Sequence, residues 1–248
     1  MFARHFFGAR SRAITAGLVS VLVTVGLVVL LGGALQEVCS AQWTFLANNL
    51  AYMGFSNGWF FVSNPYAACG SHGNVVLWGG GCVGGSFYTC TSSVRYPTNI
   101  QSPTDPECGG VTCTSNRGRG YVCGKAVFPA YLTCSTHITN RNDGAFGVSF
   151  KQYQEDYYHS GMEYVRGLGG FVEAAGDFNR DPAQTAPWAN FWEGDGFFTK
   201  QATTDDGHAL DYIYASSNAW CPYGEPAWIR DSTHSDHRLY LGFLHVNC

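Results

Sequence analysis

Five short polar motifs, each at the end of an apolar stretch, carry the side chains that could do chemistry. They are Leu35-Gln36-Glu37-Val38, Ser135-Thr136-His137-Ile138, Gly176-Asp177-Phe178-Asn179, Leu210-Asp211-Tyr212-Ile213 and Ser235-Asp236-His237. A carboxylate or imidazole at a strand tip is held rigidly and can converge with others on a cleft. Carboxylates from separate segments, two histidines and an amide form an oxygen-rich set that suits Mg2+, Mn2+ or Ca2+ better than Zn2+. The same groups can trade protons near neutrality, because a histidine held by a carboxylate serves as acid or base. Such a set makes an oxygen-rich metal and acid/base site, in which a cation could hold an anionic substrate.

Each motif also has a plainer reading. Asp177 and Asn179 suit a turn after a strand; His137 and Asp211 would do as hydrogen-bonded or surface residues of a sheet. The ordered set of five outweighs those readings. His72, His159, His208, His234 and His245 stand in no motif and read as structural. Trp43, Trp59, Trp188, Trp192 and Trp220 read as core or loop anchors.

The elements that must position these groups are legible in outline. Apolar spacing predicts a short helix over Trp43–Leu50 and a longer one over Phe150–Leu168, stopped by Gly169-Gly170. Strands are expected at Asn74–Trp78, within Tyr121–Ile138, and at Phe171–Ala175, Leu210–Ala215 and Leu239–Val246. Strands and helices interleave without strict β-α-β order, so a mixed α+β domain is expected, sheets inside and helices outside.

In this order the motifs resemble the endonuclease/exonuclease/phosphatase superfamily, which includes deoxyribonuclease I, from about residue 35 to the end. The resemblance implies a two-layer β-sandwich flanked by helices, the four-layer α/β/β/α arrangement. It implies that Glu37 and Asp236 ligate a divalent cation, Mg2+ first, with Mn2+ or Ca2+ as alternatives. His237 would be the catalytic histidine, oriented by Asp211. Asp177 and Asn179 would position the attacking water and the phosphoryl oxygens. His137 would contact the phosphate and assist the leaving group. Arg119 and Asn74 fall where the family borders its cleft or reads phosphate. The implied activity is phosphodiester hydrolysis, nuclease-like first. The alternatives are a sphingomyelinase or other phospholipid phosphodiesterase, and a non-catalytic binding module. The substrate is thus a nucleic acid or a phospholipid headgroup, and a monomer is expected. One departure stands out. Family members begin with a strand ending in a metal-site Asn, whereas no Asn, Asp or Glu precedes Glu37 here. Three readings account for this: a gene model cut short or frameshifted, Val25–Leu31 serving as the inner strand with the metal one ligand poorer, or a degenerate member that binds without cutting. In a folded, active form at least Gly26–Val38 is expected to be partly strand.

The chain has 248 residues with 46% hydrophobic and 13% charged, which excludes a disordered polymer. The net charge of −4 and the lack of a Lys/Arg run beyond the first dozen residues exclude a basic nucleic-acid tail. Arg4, Arg10 and Arg12 precede an uncharged run over 13–35, which reads as a secretory signal or anchor. Residues 1–35 are accordingly set apart from a domain over 36–248, with the domain secreted or membrane-anchored outside the cytoplasm. Ten cysteines without a C-x-x-C pair argue for disulfides rather than zinc. Five of them lie in the Gly- and Ser-rich stretch around 79–123, expected to form stapled loops.

Overall fold

The computed structural model describes residues 18–25, 28–52, 55–67, 69–79, 90–108, 113–114, 117–127, 130–181, 184, 188–193, 202–218, 220–222, 228–230, 237 and 239–246. In chain order the elements are β1 (Leu18–Val25), β2 (Val28–Cys39), α1 (Ser40–Asn49), β3 (Asn57–Ala67), β4 (Gly70–Trp78), β5 (Thr91–Arg95), β6 (Gly120–Val127) and β7 (Ala130–His137). There follow β8 (Gly144–Ala145), β9 (Val148–Ser149), α2 (Phe150–Gly167), β10 (Phe171–Asp177), β11 (Phe191–Glu193), β12 (Asp211–Ser216), β13 (Trp220–Pro222), β14 (Trp228–Arg230) and β15 (Leu239–Val246). One sheet runs β13-β15-β1-β2-β4-β3, with β14 also on β15; the second runs β11-β12-β10-β7-β6-β5.

Alternation along the strands builds the layers, since successive side chains point to opposite faces. Val76 and Trp78 of β4 face Val122, Ala175, Ile213 and Ala215 of the second sheet and form the core between the sheets. Their neighbours Val75 and Leu77 point the other way, under Trp43 and Leu46 of α1. On the far side, Val172, Ala174, Tyr212 and Tyr214 pack with Tyr158 and Met162 of α2. The result is the expected order of helix, sheet, sheet, helix. α2 begins where the Ser149 hydroxyl caps the Gln152 amide and ends beside Gly169 at φ 84°.

The apolar run over 13–35 departs from the anchor expectation. Its described part is not a bilayer-crossing helix but two strands, β1 and most of β2, paired antiparallel from Leu18↔Leu35 to Val25↔Val28. β1 also lies parallel to β15. The Val-rich composition favours the pleated form, and each strand finds partners on both edges within one sheet. Strand does extend to Val38, as expected. Residues 26–27, part of that expected strand, lie outside the described residues. Among the described residues, no helix is long and apolar enough to cross a membrane.

The cysteine-rich stretch is also more than stapled loops, since it supplies β5 and the start of β6. Cys39 bonds to Cys69, Cys108 to Cys113 and Cys123 to Cys134, and Cys90 is disulfide-bonded too. These bridges fit an oxidising compartment.

Candidate active site

Sheet register assembles the centre of the site. β7 and β10 run parallel with His137 opposite Asp177, and β12 runs antiparallel to β10 with Asp211 opposite Asp177. Directly paired residues point to the same face. His137, Asp177 and Asp211 therefore stand in one row, on the face that carries Ala175 and Ile213 into the inter-sheet core. His137 Nε2 lies 3.3 Å from Asp177 Oδ2. His237 joins through a bridge to Thr204 and places Nδ1 2.8 Å from Asp211 Oδ2 and Nε2 3.8 Å from Asp177 Oδ2.

Asn179 closes the row. Its backbone N–H donates to Asp177 Oδ1 at 2.7 Å, and its side-chain amide donates to Asp177 Oδ2 and to the Ile138 carbonyl. Asn179 sits at φ 50°, a left-handed conformation that Asn tolerates because its short amide bonds locally. Lys151, in the first turn of α2, donates to the Asn179 carbonyl at 2.8 Å. Thr203 Oγ1 accepts from the Asp211 amide at 3.1 Å.

Glu37 comes from the other sheet. The β2–β4 register slips between Leu35 and Val38, and Glu37 sits in that bulge at φ 57°. A bulge re-aims a side chain, and a Glu in this conformation is strained. The buried Gln36 amide donates to Ser135 Oγ, which itself donates to the Leu35 carbonyl, so β2 is tied to β7 two residues before His137.

One carboxylate arrives that the sequence reading passed over. Glu107 lies in a 3-10 turn, Pro106–Cys108, and is buried. It accepts from Ser63 Oγ and lies 3.0 Å from His72 Nδ1. Atoms of Glu37, Glu107 and His137 capable of ligation all lie within 4.8 Å of one another. The two carboxylates at this spacing suit a hard divalent cation, which takes oxygen ligands ahead of an imidazole. Asp105, two residues earlier, pairs with Arg119 Nε at 2.7 Å. The signal for this acidic turn was slight: two acids beside a cysteine in the stretch read as loop. His72, read as structural, is the residue that holds Glu107.

Electrostatics distinguish these groups. Burial opposes ionisation of Asp177, but the His137 hydrogen bond and the His137 and His237 charges hold its pKa below the usual value. Burial likewise opposes the charge on Glu107; His72, Arg119 and His137 hold that group well below the carboxylate range. Asp211 is raised, by burial first, with the Asp177 charge adding and His237 opposing.

Of the residues expected at the site, His137, Asp177, Asn179, Asp211 and His237 come together directly, and Glu37 meets them through His137. Arg119 is buried beside the site on Asp105. Asn74 is buried and spends its amide on the Gly120 carbonyl, where it ties β4 to β6. Asp236 lies outside the described residues.

No protein-family model matches the sequence, and no curated protein matches it. Solved structures do. The human Nocturnin catalytic domain with bound sulfate anion aligns with a TM-score of 0.51 at 20% identity, over 85% of this chain and 77% of that one. TDP2 from Caenorhabditis elegans aligns with a TM-score of 0.50 at 12% identity, over 83% of this chain and 61% of that one. The fold is that of the endonuclease/exonuclease/phosphatase, or deoxyribonuclease I-like, proteins.

Proposed function

We propose that this protein is an exported, metal-dependent phosphoesterase that hydrolyses phosphodiester bonds, with nucleic acid as the first substrate class. The observation that carries the reading is the cross-strand row of His137, Asp177 and Asp211, with His237 seated on Asp211 and Glu37 and Glu107 alongside. The likeness to known folds supports it but does not supply the chemistry.

A divalent cation, Mg2+ first, would offset charge on the phosphoryl oxygens when bound. Glu37 and Asp236 are the ligands expected from the motifs. Asp177 and Asn179 orient the water: Asp177 is held ionised and Asn179 is locked onto it, so the pair serves to position rather than to take a proton. His237, with Nδ1–H fixed on Asp211, accepts the water proton at Nε2. As oxygen adds to phosphorus the bond to the leaving oxygen breaks, and His137 delivers a proton to that oxygen. The disulfides support an exported protein.

The test is nicking of plasmid DNA and hydrolysis of sphingomyelin with Mg2+, Mn2+ or Ca2+, run beside His237→Ala. Nicking that falls by about 10²–10⁴-fold in the variant supports the reading. Sphingomyelin hydrolysis alone moves the substrate to phospholipid. Equal activity in both proteins, or none in either, overturns catalysis at this site.

A further inference from the structure

We propose that Glu107 is a ligand of the catalytic cation, beside Glu37. The inference rests on the metal-dependent reading above and specifies its donor set.

A hard cation takes six or more oxygens and needs protein anchors among them, so the ligands expected from the motifs leave positions open.

Glu107 fills the gap from another direction. Its turn is fixed on several sides: the Cys108–Cys113 bridge, the buried Asp105–Arg119 ion pair, Ser63 of β3 and His72 of β4. A carboxylate so placed is oriented before any ion arrives, as outer hydrogen bonds orient ligands in metal sites. Ligand atoms on one ion stand no more than about 4 Å apart for Mg2+ and about 5 Å for Ca2+, twice the bond length. The 4.8 Å limit that encloses Glu37, Glu107 and His137 lies within the Ca2+ span and above the Mg2+ one, so a smaller ion would draw these groups closer together.

A second feature points to a ligand at the same place. Arg119 Nη1 is buried with no hydrogen-bond partner among the described residues. The guanidinium interacts electrostatically with both Glu107 and Asp177. An unsatisfied buried donor costs free energy unless an anion completes it. A phosphoryl oxygen shared with a cation on Glu37 and Glu107 would do so.

The experiment uses the full chain and Mn2+. Mn2+ is titrated into the wild type, Glu107→Gln and the exposed-site control Glu163→Gln, and free Mn2+ is read by electron paramagnetic resonance. The inference expects one ion in the wild type, binding at least about tenfold weaker in Glu107→Gln, and no change in the control. Wild-type affinity in Glu107→Gln, or no Mn2+ binding by the wild type, overturns it. Because Glu107→Gln also strips the partner from His72, wild-type crystals soaked in Mn2+ supply an independent measurement. An anomalous peak on both Glu37 and Glu107 supports the inference; a peak elsewhere, or Glu107 still turned to His72 alone, overturns it. Mn2+ held by both residues without diester hydrolysis defeats the phosphoesterase reading and leaves the ligand intact. Hydrolysis with wild-type Mn2+ affinity in Glu107→Gln does the reverse.

Discussion

Asp177 and Glu107, buried at the mouth of the sandwich, meet the opposite fate to Glu173 and Glu155, buried elsewhere, while Asp211 at the mouth is raised as those two are. Asp177 and Glu107 are as buried as core residues, yet both are held ionised by the histidines and Arg119 around them. Glu173 lies four residues before Asp177 on the same face of β10, deep between the sheets. It has Thr133 for a hydrogen bond, and burial pushes its pKa up to about 8. Glu155, on α2, is raised to about 7 by burial, although Arg180 and Trp188 oppose the shift. The lesson is that the strand face supplies the position and the gathered cations supply the charge. Around Asp177 and Glu107 imidazoles and a guanidinium converge, and their charges outweigh burial.

The two regions should therefore respond to pH with opposite sign. Asp177 and Glu107 titrate lower in the folded chain than in the unfolded one. Their contribution to stability is present above the ordinary carboxylate range and is lost as pH falls through their depressed values. Glu173 titrates higher when folded. Its contribution is full below about pH 4.5 and is lost as pH rises through about 8.

The largest effect is expected at the mouth. Asp177→Asn should lower kcat/KM for a dinucleotide or plasmid substrate by about 10²–10⁴-fold, because His137 loses its ionised partner and the water its orienting group. Retained turnover would erase the distinction between the two regions. Next comes the interior. Glu173→Gln should flatten the fall in Tm between pH 5 and 8, since the wild type gives up roughly 3 kcal/mol by pH 7 as the unfolded carboxyl ionises and the folded one does not. A residual slope from Glu155, centred near pH 7, should remain. A wild-type slope in Glu173→Gln would show that the interior carboxyl is not the protonated group. The smallest effect is on the surface, where Arg166 pairs with Glu163 one turn away on α2. Arg166→Ala should leave both Tm and turnover within error in parallel melts and assays, which sets the baseline for the other two.

Legibility in the sequence followed the same divide. β10 and β12, the long helix and the Leu239–Val246 strand announced themselves through short apolar runs, helical spacing and glycine stops. His137, Asp177, Asn179, Asp211 and His237 were visible because each sits in a polar motif at a strand end, and strand ends are where a sandwich opens. Glu107 was not visible. Its neighbours in space, Ser63, His72 and His137, lie far from it in the chain, and no local pattern reports a meeting of that kind. The apolar run over 13–35 misled for a related reason. Periodicity cannot tell a continuous apolar helix from a fully buried strand pair, and the decision belongs to β4 and β15, the partners on either side.

The sequence by itself determined which groups could do chemistry, since residue type sets charge, proton affinity and ligand preference, and alternation sets which face of a strand each occupies. Tertiary structure alone decided which carboxylates carry charge and which second acid meets Glu37. Ionisation of a buried group depends on the dielectric and the charges within a few ångströms, and those neighbours are assembled only when the two sheets close on each other.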